Sequence, residues 1–166
     1  MHPEHPSFEK AVAAKIVAQE QLDKLTFLWR FKNNKVIFTN GCFDLLHDGH
    51  LELLLKAKDL GGKLIVGLNS DASVKRLKGE KRPIKNQQSR ALQLAALQAV
   101  DAVVIFEEDT PFELIQLIKP EILVKGGDYS EATIVGADIV KANGGEVVVI
   151  PLVEGFSTTS LIQQMS

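Results

Sequence analysis

The chain has one cysteine, no excess of either charge and no long apolar run. A lone thiol, Cys42, excludes a disulfide framework and suits a reducing compartment. Nineteen basic against 21 acidic residues leave a net charge of −2. No global field therefore draws the protein to nucleic acid or to a membrane surface, and any anion must be held by a local cluster. No apolar stretch approaches the ~20 residues of a spanning helix, and the first residues hold no secretory h-region, so the expected address is the cytoplasm. A second Cys/His pair of the kind structural zinc sites use is missing, and no metal ligands are assigned. No G-x-G-x-x-G follows an apolar run, and no internal repeat or linker divides the chain. What remains is 166 residues at 45% apolar and 24% charged content, enough to bury one globular core.

The organising stretch is Lys35 to Leu51, KVIFTNGCFDLLHDGHL. Val36-Ile37-Phe38 reads as a buried parallel strand. Thr39-Asn40-Gly41-Cys42 lets the backbone turn sharply as it leaves the sheet. His47-Asp48-Gly49-His50 then runs into the helical pattern LELLLKAKDL. A strand, a glycine turn and a helix start form a phosphate-receiving corner, and two histidines there are donors placed to reach one phosphate together. Zinc ligation by His47, His50 and Cys42, or a plain helix cap at His47, are the competing accounts of the same residues.

Further apolar runs at Lys63–Leu68, Asp101–Phe106, Ile122–Val124 and Glu146–Ile150 alternate with helical patterns. They predict a single-domain α/β fold, a Rossmann-like open five-stranded parallel sheet with helices on both faces. Residues 1–34 form an N-terminal tail and helical extension, with Phe8 to Phe31 as one or two helices outside the sheet, and residues 35–166 form the domain proper. The most basic segment, ASVKRLKGEKRPIKN, leaves the carboxyl end of the second strand. It reads either as a solvated loop or as a basic flap over a polyphosphate. Ser157-Thr158-Thr159 precedes the last helical pattern and offers backbone N–H groups and hydroxyls to an anion, or serves as an ordinary N-cap.

Taken together, TNGCFDLLHDGH, VGLNSDASVKRLKG, RPI, VDAVVIFEEDTP, ILVKGGDY and EGFSTTSLI resemble the heptose-1-phosphate adenylyltransferases. These belong to the cytidylyltransferase-like branch of the nucleotidyltransferases. The likeness runs from about Lys35 to the C-terminus. It implies transfer of AMP from ATP, taken with Mg²⁺, to D-glycero-D-manno-heptose 1-phosphate, giving ADP-heptose and pyrophosphate for lipopolysaccharide core synthesis. By this resemblance His47, His50 and Lys78 are catalytic. Asn40, Gly41, Phe43, Asp44, Arg90, Lys125, Asp128, Ser157, Thr158 and Thr159 line the nucleotide or sugar site, with Asp44 either orienting a histidine, holding Mg²⁺ through water or shaping the turn. The implied partners are small molecules, ATP and heptose 1-phosphate, with no nucleic acid or membrane; the helical N-terminus makes a homodimer a reasonable expectation.

Three other functions compete. A cytidylyltransferase acting on glycerol 3-phosphate or another polyol phosphate shares the histidine corner. That family, however, carries an Arg just before its EGxSTT, where this chain has Leu152. A nucleotide-binding regulatory module would lack turnover. A dinucleotide-dependent oxidoreductase would need the missing glycine fingerprint and a second substrate region.

Overall fold

Side chains alternate strictly along the strands, and that alternation builds two cores. In the computed structural model, which describes residues 7–152 and 162–164, Ile37, Leu64, Val66, Leu68, Val103 and Val124 face one side of the sheet. Val36, Phe38, Ile65, Val104, Phe106 and Leu123 face the other. All are at most 2% exposed, so each contributes about 1.5–3 kcal/mol by leaving water.

The chain runs α1 (Phe8–Ala13), β1 (Ile16–Val17), α2 (Leu22–Phe31), β2 (Lys35–Gly41), α3 (Asp48–Asp59), β3 (Gly62–Asn69), α4 (Asp71–Lys78) and α5 (Gln87–Ala96). It continues through β4 (Ala102–Phe106), α6 (Phe112–Ile118), β5 (Ile122–Gly126), α7 (Ala137–Ala142) and β6 (Glu146–Ile150). Leu53, Leu54 and Ala57 of α3 and Ala91, Leu94 and Ala95 of α5 cover the first face. Leu22 of α2, Leu114, Ile115 and Ile118 of α6, and Ala137 and Val140 of α7 cover the second.

The expectation of five strands is corrected to six. The order is β1-β4-β3-β2-β5-β6, with every pair parallel. The added edge strand is only two residues, Ile16 and Val17, opposite Val103 and Val104. It sits inside a segment whose spacing otherwise reads as helix, so its pairing is decided by β4 and not by local pattern. The sheet thus draws on residues from before Lys35 as well as after it.

From β2 the chain steps outward through β3 to β4, then returns across β2 to β5 and β6 on the other side. The strand order therefore reverses at β2, and a crevice opens outside the carboxyl ends of β2 and β5, where sheets of this kind bind ligands. The opposite rim is tied shut. Asp101 accepts hydrogen bonds from Leu64 N (2.8 Å) and Lys58 Nζ (2.6 Å). Glu121 accepts from Val36 N and Arg30 Nε, both at 2.7 Å.

Candidate active site

β2 ends in a turn that only a small residue can make. A Cβ on Gly41 would lie 2.9 Å from Phe43 Cε2, and Phe43 itself is held at φ 45° while 3% exposed. A positive φ at a buried aromatic costs of order 1–3 kcal/mol and persists only where the surroundings fix it. Here it drops the ring under the histidines. Phe43 lies 5.1 Å from His50, centroid to centroid, and His47 stacks on His50 at 3.7 Å with 21° between the rings.

Helix α3 begins at Asp48, earlier than the run of leucines indicates. His47 is its N-cap, its Nδ1 accepting from His50 N at 3.4 Å, and His50 lies in the first turn. Burial pushes the His50 pKa down from 6.5 to about 4. The neighbouring His47 adds to that fall, and the Leu45 backbone opposes it. Burial also lowers His47, against the pull of Asp48. Both rings are therefore neutral N–H donors at pH 7. The buried His50 Nδ1 has no partner at full hydrogen-bond geometry.

Around the pair lies an open cleft of about 660 Å³. On the β3–β4 side its lining includes Asn69, Leu77, Lys78, Arg82, Asp109 and Thr110; on the β5 side it includes Lys125, Tyr129, Ile134 and Leu152. Of the residues expected from sequence, Asn40, Gly41, Phe43, Asp44, His47, His50, Lys78 and Lys125 all line it. Lys125 Nζ sits 5.1 Å from the Tyr129 ring centroid, and burial lowers its pKa, with Cys42 opposing. Burial raises the Cys42 thiol in spite of Lys78, Arg90 and Arg82 nearby. That places it with the protonated, inert thiols.

Asp128 is exposed and lies away from the cleft wall. Ser157, Thr158 and Thr159 fall outside the described residues. The basic segment begins as α4, capped by Ser70 Oγ and ended by Gly79 at φ 102°. Its Arg76 is bonded to Glu107 O and to Asp109 Oδ1.

Two charged residues named from sequence spend their polar atoms on the fold around the cleft. Arg90 is 0% exposed and donates to Lys85 O (2.9 Å), Cys42 O (2.7 Å), Asn69 O (2.8 Å) and Asp71 Oδ1 (2.7 Å). It lies beneath the cleft, joining the ends of β2 and β3 to the start of α5. Asp44 is 1% exposed. Its oxygens accept from Arg82 Nε (2.6 Å), Ile84 N (2.9 and 3.0 Å) and Lys85 N (3.0 Å). Burial alone would raise the Asp44 pKa. The Lys85 and Ile84 amides and the Arg82 guanidinium outweigh it and hold the carboxyl below its usual value.

Sequence reasoning placed Arg82 only within the basic flap, without singling it out from its neighbours, and gave no individual role to Asn69 or Tyr129, although VGLN and KGGDY contain them. Among the described residues no three His, Cys, Asp or Glu side chains cluster as a metal cage, and no helix is long and apolar enough to cross a membrane. Asp44 has no oxygen free of a hydrogen bond. Among the described residues the donors at the cleft do not form the carboxylate-rich set that would hold Mg²⁺ by protein ligands alone.

The cytidylyltransferase-like family model matches residues 38–163. The bifunctional protein HldE of Koribacter versatilis is 53% identical over 91% of this chain and 31% of its own length. HldE of Nitrobacter winogradskyi is 58% identical over 86% of this chain and 29% of its own. The chain spans about a third of the length of the curated relatives it matches. Among solved structures, a lipopolysaccharide core biosynthesis protein from Thermoplasma volcanium is 28% identical, with a TM-score of 0.59. That match covers 72% of this chain and 97% of the other. Pantoate–beta-alanine ligase from Francisella tularensis, at 19% identity and a TM-score of 0.57 over 82% of this chain and 66% of its own, shares the fold. With the histidine corner at the strand-order reversal and the family match spanning most of the sheet, this chain belongs to the cytidylyltransferase-like family.

Proposed function

We propose that the chain is an adenylyltransferase that moves AMP from MgATP to D-glycero-D-manno-heptose 1-phosphate, releasing pyrophosphate and ADP-heptose. The observation that carries it is the stacked His47–His50 pair at the head of α3, facing a cleft with Lys78 on one wall and Lys125 on the other. The match to the bifunctional HldE proteins supports it, as does the family to which the chain belongs.

A phosphate oxygen of the sugar attacks the α-phosphorus of ATP in line, a new P–O bond forms, and the bond to the bridging oxygen of pyrophosphate breaks with its electron pair. The nucleophile is already ionised at neutral pH, so no general base is needed and the work is positioning and charge stabilisation. His47 and His50 donate N–H to the phosphate oxygens that gain charge, aided by the positive end of the 12-residue α3. Being neutral, they meet the dianionic substrates without first repelling each other. Lys78 steadies the outer phosphates, while Asn40, Gly41 and Phe43 shape the nucleotide floor. Lys125 faces the nucleotide or the sugar, and Ser157, Thr158 and Thr159 bind the triphosphate as in the resembling family. Mg²⁺ carried on the nucleotide phosphates would neutralise their outer charge, beside the positive charge that Lys78 supplies. Leu152 on the cleft wall, in place of a cytidylyltransferase arginine, supports ATP over CTP.

Pyrophosphate release with Mg²⁺, crossing ATP and CTP against heptose 1-phosphate and glycerol 3-phosphate, tests the reading. Release with ATP and heptose 1-phosphate is expected, falling on the order of 10²–10³ in kcat for His47→Asn or His50→Asn. Release only with CTP and glycerol 3-phosphate would overturn the substrates, and nucleotide binding without release from any pair would overturn the activity.

A further inference from the structure

Arg82 has a contact pattern that no other arginine of this chain shares. The described residues contain four: Arg30, Arg76, Arg82 and Arg90. The other three each spend a terminal nitrogen on the fold, Arg30 on Ile118 O, Arg76 on Glu107 O and Arg90 on Cys42 O. Arg82 uses only Nε, on Asp44 Oδ2. Its Nη1 and Nη2 meet no partner among the described residues, although the side chain is only 18% exposed and lines the cleft beside Lys78 and the histidines.

Its backbone is fixed as well, since Arg82 N donates to Gly79 O at 3.0 Å and closes the turn after α4. Asp44 pins the chain two and three residues further on through the Ile84 and Lys85 amides. Asp44 is thus consumed in setting one guanidinium, and that guanidinium keeps its outer edge vacant. A planar guanidinium with Nε occupied still presents the Nη1/Nη2 edge, whose two parallel N–H bonds fit two oxygens of one phosphate. A side chain already ordered before binding loses little entropy on meeting that anion.

We propose that Arg82 is a phosphate-binding residue of the transfer reaction, with Asp44 as the positioning residue that orients it. The inference rests on the nucleotidyl-transfer reading, but not on which nucleotide or sugar is used. The phosphate belongs either to the nucleotide or to the acceptor, and kinetics separate the two.

The test measures initial rates for wild type, Arg82→Gln, Arg82→Lys and Asp44→Asn, with whichever nucleotide and phosphate acceptor the wild type turns over best. Arg82→Gln is expected to raise one KM by about ten- to hundredfold, the loss of a charge-assisted bidentate contact. A rise for the nucleotide assigns its phosphates, and a rise for the acceptor assigns the acceptor phosphate. Arg82→Lys restores little, because an ammonium lacks the two-pronged edge. Asp44→Asn raises the same KM and leaves the other unchanged, a split that loss of stability alone does not produce. Wild-type values of both KM and kcat in Arg82→Gln, with only the melting temperature lowered, would show that Arg82 merely neutralises Asp44 and would overturn the inference. Should wild type turn over no pair, the transfer reading fails separately. Calorimetry with ATP, inorganic tripolyphosphate and glycerol 3-phosphate then decides: at least tenfold weaker binding of any of them by Arg82→Gln supports the assignment, and equal or absent binding of all three in both proteins overturns it.

Discussion

Stability should fall with pH in a window set by His50. Its pKa stands at about 4 in the folded chain against 6.5 for the free side chain. Above 6.5 neither state binds the proton and the ring contributes nothing. Below 6.5 the unfolded chain takes up a proton that the folded chain refuses, so unfolding becomes progressively easier until the folded pKa is reached. A displacement of that size corresponds to about 3 kcal/mol at 1.36 kcal/mol per pH unit, and partial solvent access brings it to roughly 2 kcal/mol. The assay is urea denaturation of wild type and His50→Gln between pH 7.5 and 4.5. Glutamine keeps an N–H donor and cannot titrate, so the gap between the two curves isolates the imidazole. Asp44 does not intrude, because its carboxyl is held below its usual value and its contribution is lost only under about pH 4. Wild type should lose roughly 2 kcal/mol more than the variant across the range, and the His50 ring proton should titrate near 4 by NMR. His47→Gln should move that midpoint upward, since His47 is the second cause of the shift. Parallel stability curves, or a His50 midpoint near 6.5, would refute the stacked, desolvated pair.

Two further perturbations probe the scaffold beneath the cleft. Arg90→Met leaves Cys42 O, Asn69 O and Lys85 O without their buried donor, and should lower unfolding free energy by about 3–5 kcal/mol in urea titration. A change under ~1 kcal/mol would mean that water replaces the guanidinium. Gly41→Ala drives a Cβ to 2.9 Å from the Phe43 ring and should cost about 1–3 kcal/mol by overpacking; an unchanged melting temperature would show that the Phe43 turn yields freely.

Strands with strong apolar runs were legible because burial on both faces writes itself directly into residue type. Val36-Ile37-Phe38 and Val103-Val104-Ile105 needed no tertiary information. Ile16-Val17 did, since a two-residue strand has no period of its own and exists only because Val103 and Val104 receive it. Within the site, the HDGH corner was readable from strand, glycine turn and helix start in one stretch of chain. Asp44 lies at that corner with its oxygens spent on the Arg82–Lys85 turn, in keeping with the turn-shaping reading, and Arg90 lies beneath the cleft with its nitrogens spent on the fold. Asp44 is bound by amides 40 and 41 residues away, and Arg90 by a carbonyl 48 residues back. Sequence shows a charge near a motif; only the folded path shows whether the charge is still free. Arg82 was hidden for the converse reason, as one cation among several in a basic segment.

The reversal of strand order at β2 also divides ownership of the cleft. One wall comes from the turns and helix that follow β3 and β4, the other from the end of β5, the turn after it and Leu152 beyond β6, with the histidine corner between them. Asp44 and Arg90 brace the first wall alone. Insertions or exchanges in residues 126–136 can therefore reshape one half of the cleft without disturbing the hydrogen bonds that hold the other. A sheet built this way lets one half of the cleft change while the other is inherited unchanged.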